Sequence, residues 1–194
     1  YCLDASIACR PVMECHASIH MSGTLRPLSD YALSTGLPSD AVKEVVESPF
    51  PPGNRRVLFV DDVTTRHEDL ERDPDVASRI AGHVSAIASG SPRNTIVFYP
   101  SYATMDRITE QLDGEMAGRP VYFEQRGMRQ DELMETVGSF KAGDGALLHA
   151  ISGGRVSEGI DFPGQELELA LVAGIPYPKP TARQRALQYF CDIR

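Results

Sequence analysis

No stretch of this chain approaches the roughly 18 uninterrupted apolar residues of a membrane-spanning helix, and no basic segment followed by an apolar core opens it as a signal peptide would. No Cys-x-x-Cys pair occurs either. Its four cysteines are Cys2, Cys9, Cys15 and Cys191, and together with His16 and His20 they lack zinc-ligand spacing. They read as small buried thiols in a reducing cytosol, so a cytoplasmic location and no metal are expected. Internal repeats and low-complexity tracts are missing. So is any Gly-x-x-x-x-Gly-Lys-Ser/Thr loop, and the only lysines are Lys43, Lys141 and Lys179. The chain therefore has no P-loop phosphate cradle of its own. Basic charge is in short supply as well: 19 Lys and Arg face 27 Asp and Glu, for a net charge of −8 and a pI near 5.1. A generally basic nucleic-acid binder is excluded, whereas one local basic groove on an acidic body is not. There is no initiator Met, and Tyr1 opens inside an apolar segment, as expected of a fragment.

Hydrophobic residues make up 42% of the 194, enough for one domain, or one and a fragment, with a proper core. Short strand and helix signals alternate. An apolar segment over 15–21 and the run at 56–60 predict strands, and Asp73-Pro74 supplies a helix cap and a first-turn proline. Val76, Ile80, Val84 and Ile87 follow at helical spacing, up to Gly90 and Pro92. Further strands are expected at 95–99, 121–123, 146–151 and 167–173. Helices are expected from Ser101 through Leu112, over 130–142, and from Thr181 to the end. The acidic stretch 68–75 reads as a solvated loop, Asp61-Asp62 as a turn, and the Pro-, Ser- and Gly-rich segment 24–55 as a linker or surface excursion. Strands separated by helices of this length imply an α/β fold with a parallel sheet covered on both faces.

The most informative stretch is Gly153-Gly-Arg-Val-Ser-Glu-Gly-Ile-Asp-Phe-Pro-Gly164, between two apolar runs. It places four glycines, an arginine, a serine and two acids at the carboxyl end of a strand, where open α/β sheets hold their ligands. Glycines let backbone N–H groups approach a phosphate. Arg155 and Ser157 add charge and a hydroxyl, and Asp161 can accept from a ribose or orient another donor. The implied chemistry is phosphate handling, on a nucleotide or a nucleic-acid backbone.

Several segments converge on one family. Ser22-Gly-Thr-Leu25, Val97-Phe-Tyr-Pro-Ser-Tyr102 and Arg155-Val-Ser-Glu-Gly-Ile-Asp-Phe162 resemble, in order, motifs III, IV and V of the XPD-type helicases of superfamily 2. Tyr1-Cys-Leu-Asp-Ala-Ser6 with Pro11-Val12, and Gly174-Ile-Pro-Tyr-Pro178, extend the resemblance over nearly the whole chain. Ser-Gly-Thr-Leu and the Phe162-Pro-Gly164 string resemble archaeal members more than the DinG-like branch, a close competitor. The resemblance implies a RecA-like three-layer sandwich with a mainly parallel central sheet flanked by helices. It places residues 1–26 at the end of a first motor domain (its last strand and motif III) and 27–194 in the second, ending before the arginine-finger motif VI. It implies an ATP-dependent 5′–3′ DNA helicase of DNA repair, with single-stranded DNA, the first motor domain and repair-complex proteins as partners. ATP and Mg2+ would be shared with the first domain, and the family's 4Fe-4S cluster would lie outside this chain. Without those parts the chain is expected not to hydrolyse ATP alone.

On that mapping Ser22, Gly23, Thr24, Glu158, Gly159 and Asp161 belong to the ATP cleft and its coupling to DNA, and Tyr99, Ser101, Tyr102, Arg155, Ser157 and Arg66 to the DNA path. Each also has a plainer reading. Arg155 and Arg66 could be solvated arginines, Ser101 an N-cap, Tyr102 part of an apolar helix face, Asp161 a loop cap, and Ser22–Thr24 a strand-end turn. Gly159, between two acids, reads as a conformational requirement. Two other functions fit the residues: a single-stranded DNA or protein binding module without ATP chemistry, and a stand-alone nucleotide enzyme using only the glycine loop.

Overall fold

The computed structural model describes residues 4–112, 118–177 and 181–192. The residues 1–3, Pro178, Lys179 and Arg194 that figured in the sequence reading, Cys2 among them, lie outside this set. The other thiols are not buried as expected: Cys9 is half-buried, and Cys15 and Cys191 are exposed. In chain order the elements are α1 (Ala5–Met13), α2 (Leu28–Thr35), α3 (His67–Arg72), α4 (Pro74–Ser89), β1 (Thr95–Tyr99), α5 (Tyr102–Thr109), β2 (Val121–Phe123), α6 (Gln130–Ala142), β3 (Leu147–Ile151), β4 (Leu169–Val172) and α7 (Ala182–Asp192). They form two compact units, one of residues 1–57 with 179–194, the other of 58–178. By compactness the division falls at residue 57. No described helix is long and apolar enough to cross a membrane.

In the first unit α1 and α2 pack together. Asp4 caps α1 by accepting from the Ser6 N–H at 3.0 Å. The strand expected over 15–21 does not form: residues 17–22 join no ladder, and neither do 55–61. A strand exists only through hydrogen bonds to a neighbour, and apolar content alone does not supply one. Val57, Leu58 and Phe59 stay exposed. The segment read as a linker contains α2. The acidic stretch read as a loop contains α3, which is anchored by buried Leu70.

The second unit is built on a sheet of order β2-β3-β1-β4, every pair parallel. β3 is buried along its whole length, as a central strand covered on both sides must be. The two-residue period splits the core. Val97 and Tyr99 of β1, with Leu147 and Ile151 of β3, face Val76, Ile80 and Val84 of α4 and Met105 and Ile108 of α5. Ile96, Leu148 and Ala150 face Leu133, Val137 and Phe140 of α6. Asp73 caps α4 through the Asp75 N–H at 2.9 Å, with Pro74 in the first turn.

Polar side chains fasten the amino edge of this sheet. Asn94, just before β1, donates to the carbonyls of Phe140, Gly143 and Glu166 at 3.1–3.3 Å and accepts from the Ala146 N–H at 2.8 Å. Arg119, just before β2, donates to the carbonyls of Ala88, Ser91, Arg93 and Gly145. The end of α6 and the starts of three strands are thus tied together by two side chains. Asn94→Ala leaves these buried groups unpaired and is expected to cost about 2–4 kcal/mol. Asn94→Asp, with a carboxylate facing three carbonyl oxygens, is expected to cost more. Urea denaturation followed by circular dichroism measures both; losses below about 0.5 kcal/mol would contradict the role given to Asn94.

Candidate nucleic-acid interface

Because all four strands are parallel, their carboxyl ends share one edge, and the loops that leave them meet there. At the end of β1, Ser101 caps α5 by accepting from the Thr104 N–H at 3.1 Å, and it stays exposed. At the end of β2, Glu124 is 1% exposed, although a carboxylate is costly to bury. Its Oε2 accepts from the Ile151 N–H at 3.1 Å and its Oε1 from the Tyr102 hydroxyl at 3.2 Å. Glu124 thereby joins the ends of β1, β2 and β3.

The glycine loop is seated on that carboxylate. A Cβ on Gly154 would lie 3.1 and 3.2 Å from the two Glu124 oxygens and 2.8 Å from the Ile151 carbonyl, so only glycine fits. Val156 is buried in the α6-side core and pins the middle of the loop. On either side of it, Arg155 is half-buried and Ser157 exposed. The Ser157 hydroxyl donates to the Gly154 carbonyl at 2.9 Å, as does the Glu158 N–H at 3.1 Å. Gly159 has φ +94°, the left-handed conformation its place between two acids called for. Glu158 and Asp161 are exposed, and among the described residues neither carboxylate has an ion-pair partner. The Asp161 carbonyl accepts from Lys141 Nζ.

At the end of β4, Gly174 packs directly on the Thr65 side chain, which brings Thr65 and exposed Arg66 to the same edge. The structure therefore collects Ser101, Tyr102, Arg155, Ser157 and Arg66 along one rim. Ser22, Gly23 and Thr24 lie in the other unit as a hydroxyl-closed turn, with the Thr24 N–H donating to Ser22 Oγ at 3.2 Å.

Tyr99 is the correction. Expected to stack on bases, it is fully buried. Strand parity turns it toward α4 and α5, where its hydroxyl meets His149 Nδ1 at 2.9 Å. No ring face is left for a base. Tyr102 is half-buried, with the Arg126 guanidinium 5.4 Å from its ring centroid. Burial pushes its hydroxyl pKa up, and the Glu124 carboxylate adds to the rise while Arg155 and Arg126 oppose it. Sequence reasoning missed Glu124, Arg126 and His149. The available signal was position: Val121-Tyr-Phe-Glu124 puts an acid at a strand's carboxyl end.

Residues 84–191, more than half of the chain, match the helicase C-terminal domain family. The chain belongs to that family. Residues 1–69 match a second family, the helical and beta-bridge domain. Over 94% of its length this helicase C-terminal segment is 28% identical to the general transcription and DNA repair factor IIH helicase subunit XPD/RAD3 of Saccharomyces cerevisiae, and it covers 25% of that protein. It is 28% identical over 84% of its length to a probable ATP-dependent helicase of Methanocaldococcus jannaschii, again covering 25%. A solved XPD helicase matches 67% of the chain with a TM-score of 0.51 at 25% identity, and the chain covers 22% of it. The segment thus spans about a quarter of the length of the curated relatives it matches. The RecA-like α/β fold and the resemblance to XPD-type helicases are both shown.

His149 sits directly beneath this interface, fully buried and stacked on Phe123 at 4.8 Å between ring centroids. Among the described residues its Nε2 has no hydrogen-bond partner, and burial lowers its pKa from 6.5 to about 4. The folded state keeps it neutral while the unfolded chain takes up a proton below pH 6.5. Its contribution to stability is therefore complete above pH 6.5 and lost as pH falls through about 4, an effect of roughly 3 kcal/mol. His149→Gln, which can still bond Tyr99, is expected to show a correspondingly shallower loss of stability on acidification. Urea midpoints measured from pH 7 to 4 test this; parallel curves for the two proteins would contradict it.

Proposed function

We propose that the chain is the carboxyl-terminal motor segment of an ATP-dependent 5′–3′ DNA helicase of DNA repair, and that its sheet-bearing unit grips single-stranded DNA along the carboxyl edge. The observation that carries the grip is the placement of Arg155, Ser157, Ser101 and Arg66 on one rim of an acidic protein. Salt-dependent phosphate contacts dominate single-strand affinity, and a rim of this kind supplies them while the body repels nucleic acid elsewhere. The direction of movement and the repair role rest on the resemblance to XPD-type proteins, and so do the partners: the first motor domain and repair-complex proteins.

The donor set defines this chain's share of nucleotide handling. It has exposed carboxylates at Glu158 and Asp161 and hydroxyls at Ser22 and Thr24, but no P-loop lysine. Among the described residues no group of three or more His, Cys, Asp or Glu could hold a metal. Phosphoryl transfer needs a phosphate cradle, a metal ligand and a charge-stabilising arginine together. The carboxylates of Glu158 and Asp161 fit one wall of an ATP·Mg2+ cleft. Glu158 and Asp161 would orient a ribose or an arginine from the opposite wall, and the first motor domain would bind the phosphates. Bound ATP supplies the energy that opens and closes that cleft. Gly159, at the bend between the two acids, lies on the loop shared with Arg155, so a shift of the acids reaches the phosphate contact.

Fluorescence anisotropy of labelled oligothymidine against this chain, over a salt series with and without ATP, tests the reading. Salt-sensitive binding indifferent to ATP is expected. Arg155→Ala is expected to reduce the slope of log K against log salt by about 0.7, the loss of one phosphate contact. Saturable ATP binding with no DNA binding at low salt would contradict the reading.

A further inference from the structure

Most arginines of the sheet-bearing unit have anionic or carbonyl partners. Arg72, Arg79, Arg93, Arg107 and Arg129 each pair with a carboxylate, and Arg119 is spent on backbone carbonyls. Arg66, Arg126 and Arg155 are different, and of these Arg126 and Arg155 lie on the loops that leave β2 and β3. Among the described residues neither guanidinium lies within ion-pair distance of a carboxylate, in a chain with 27 acids to choose from. Yet they converge on one side chain. Arg126 lies 5.4 Å from the Tyr102 ring centroid, and Arg155 follows Gly154, which packs on the same Glu124 carboxylate that accepts from the Tyr102 hydroxyl. They arrive from different loops, Arg126 from beyond β2 and Arg155 from beyond β3, and the buried Glu124 carboxylate holds those strand ends together from below. The cleft beside them, of about 260 Å3, is lined by Tyr102, Phe123, Glu124 and Arg126. Asp106 also lines it but makes no ion pair with Arg126.

Two guanidiniums on neighbouring loops, neither within ion-pair distance of a described carboxylate, are left free to take an outside anion. Guanidinium forks match phosphate oxygens in a bidentate manner, and consecutive phosphates of one strand could engage both. We propose that Arg126 is a phosphate-binding residue, and that with Arg155 across Tyr102 it forms a two-guanidinium site for the backbone of single-stranded DNA. This rests on the grip proposed above and extends it from the glycine loop to the β2–α6 loop.

The test compares the whole chain with Arg126→Ala, Arg126→Lys, Arg155→Ala and Arg93→Ala, by anisotropy of labelled oligothymidine over a salt series. Arg126 is exposed, so its variants are expected to keep the parent's thermal midpoint. Arg126→Ala is expected to bind about tenfold more weakly, one charge-assisted contact, with the salt slope lower by about 0.7. Arg126→Lys is expected to keep the slope. Arg93→Ala, at the amino edge and paired with Glu168 at 2.9 Å, is expected to change neither. An unchanged affinity and slope in Arg126→Ala, with Arg155→Ala weakened, would overturn this site and leave the grip standing. Equal weakening by Arg93→Ala would overturn it in favour of diffuse charge, and no binding by the parent chain would overturn both.

Discussion

A single buried carboxylate organises the functional edge of this protein. Glu124 accepts one hydrogen bond from the backbone of β3 and one from the hydroxyl of Tyr102, and it lies where any side chain on Gly154 would have to go. A buried carboxylate is tolerated only when its oxygens are satisfied, so the two donors and the carboxylate fix one another. The geometry of the glycine loop follows. Gly154 sits on the carboxylate, Val156 anchors in the α6-side core, and Arg155 and Ser157 are left on either side of that anchor.

The parallel sheet divides its two edges between stability and ligand handling. At the amino edge Asn94 and Arg119 engage the backbone carbonyls of helix ends and strand starts. At the carboxyl edge lie the glycine loop after β3 and, among the described residues, two arginines, Arg126 and Arg155, with no carboxylate within ion-pair distance. Arginines and serines gathered on one rim of a chain with net charge −8 are suited to a strand that must be held along a defined path and released. His149 lies under the rim as a neutral, stacked side chain, and the price of its burial is borne at low pH.

Much of the sheet-bearing unit was legible in the sequence. Its helices are capped where Asp73 and Ser101 predicted, and the apolar faces of α4 and α6 fall on the residues whose spacing announced them, apart from Ile87, which sits at the rim of the core. The glycine loop was legible because glycines between two apolar runs have few other uses. Failures came where local sequence does not decide. Residues 15–21 and 56–60 are apolar but have no neighbour to pair with. Tyr99 was assigned to the surface because it ends a strand, yet counting by twos from Val97 puts it in the core. Glu124 was overlooked because an isolated glutamate is nearly always solvated, and only the convergence of three strand ends makes this one buried.

The central claim is that single-stranded DNA lies along the carboxyl edge of the sheet. Titrating the isotope-labelled chain with oligothymidine, and following each backbone amide by heteronuclear NMR, tests it most directly. The account predicts that the largest shifts cluster at residues 101–102, 124–127 and 152–159, with the amino-edge residues 93–95 and 119–121 unmoved. Shifts centred on the amino edge, or spread evenly over the surface, would contradict it.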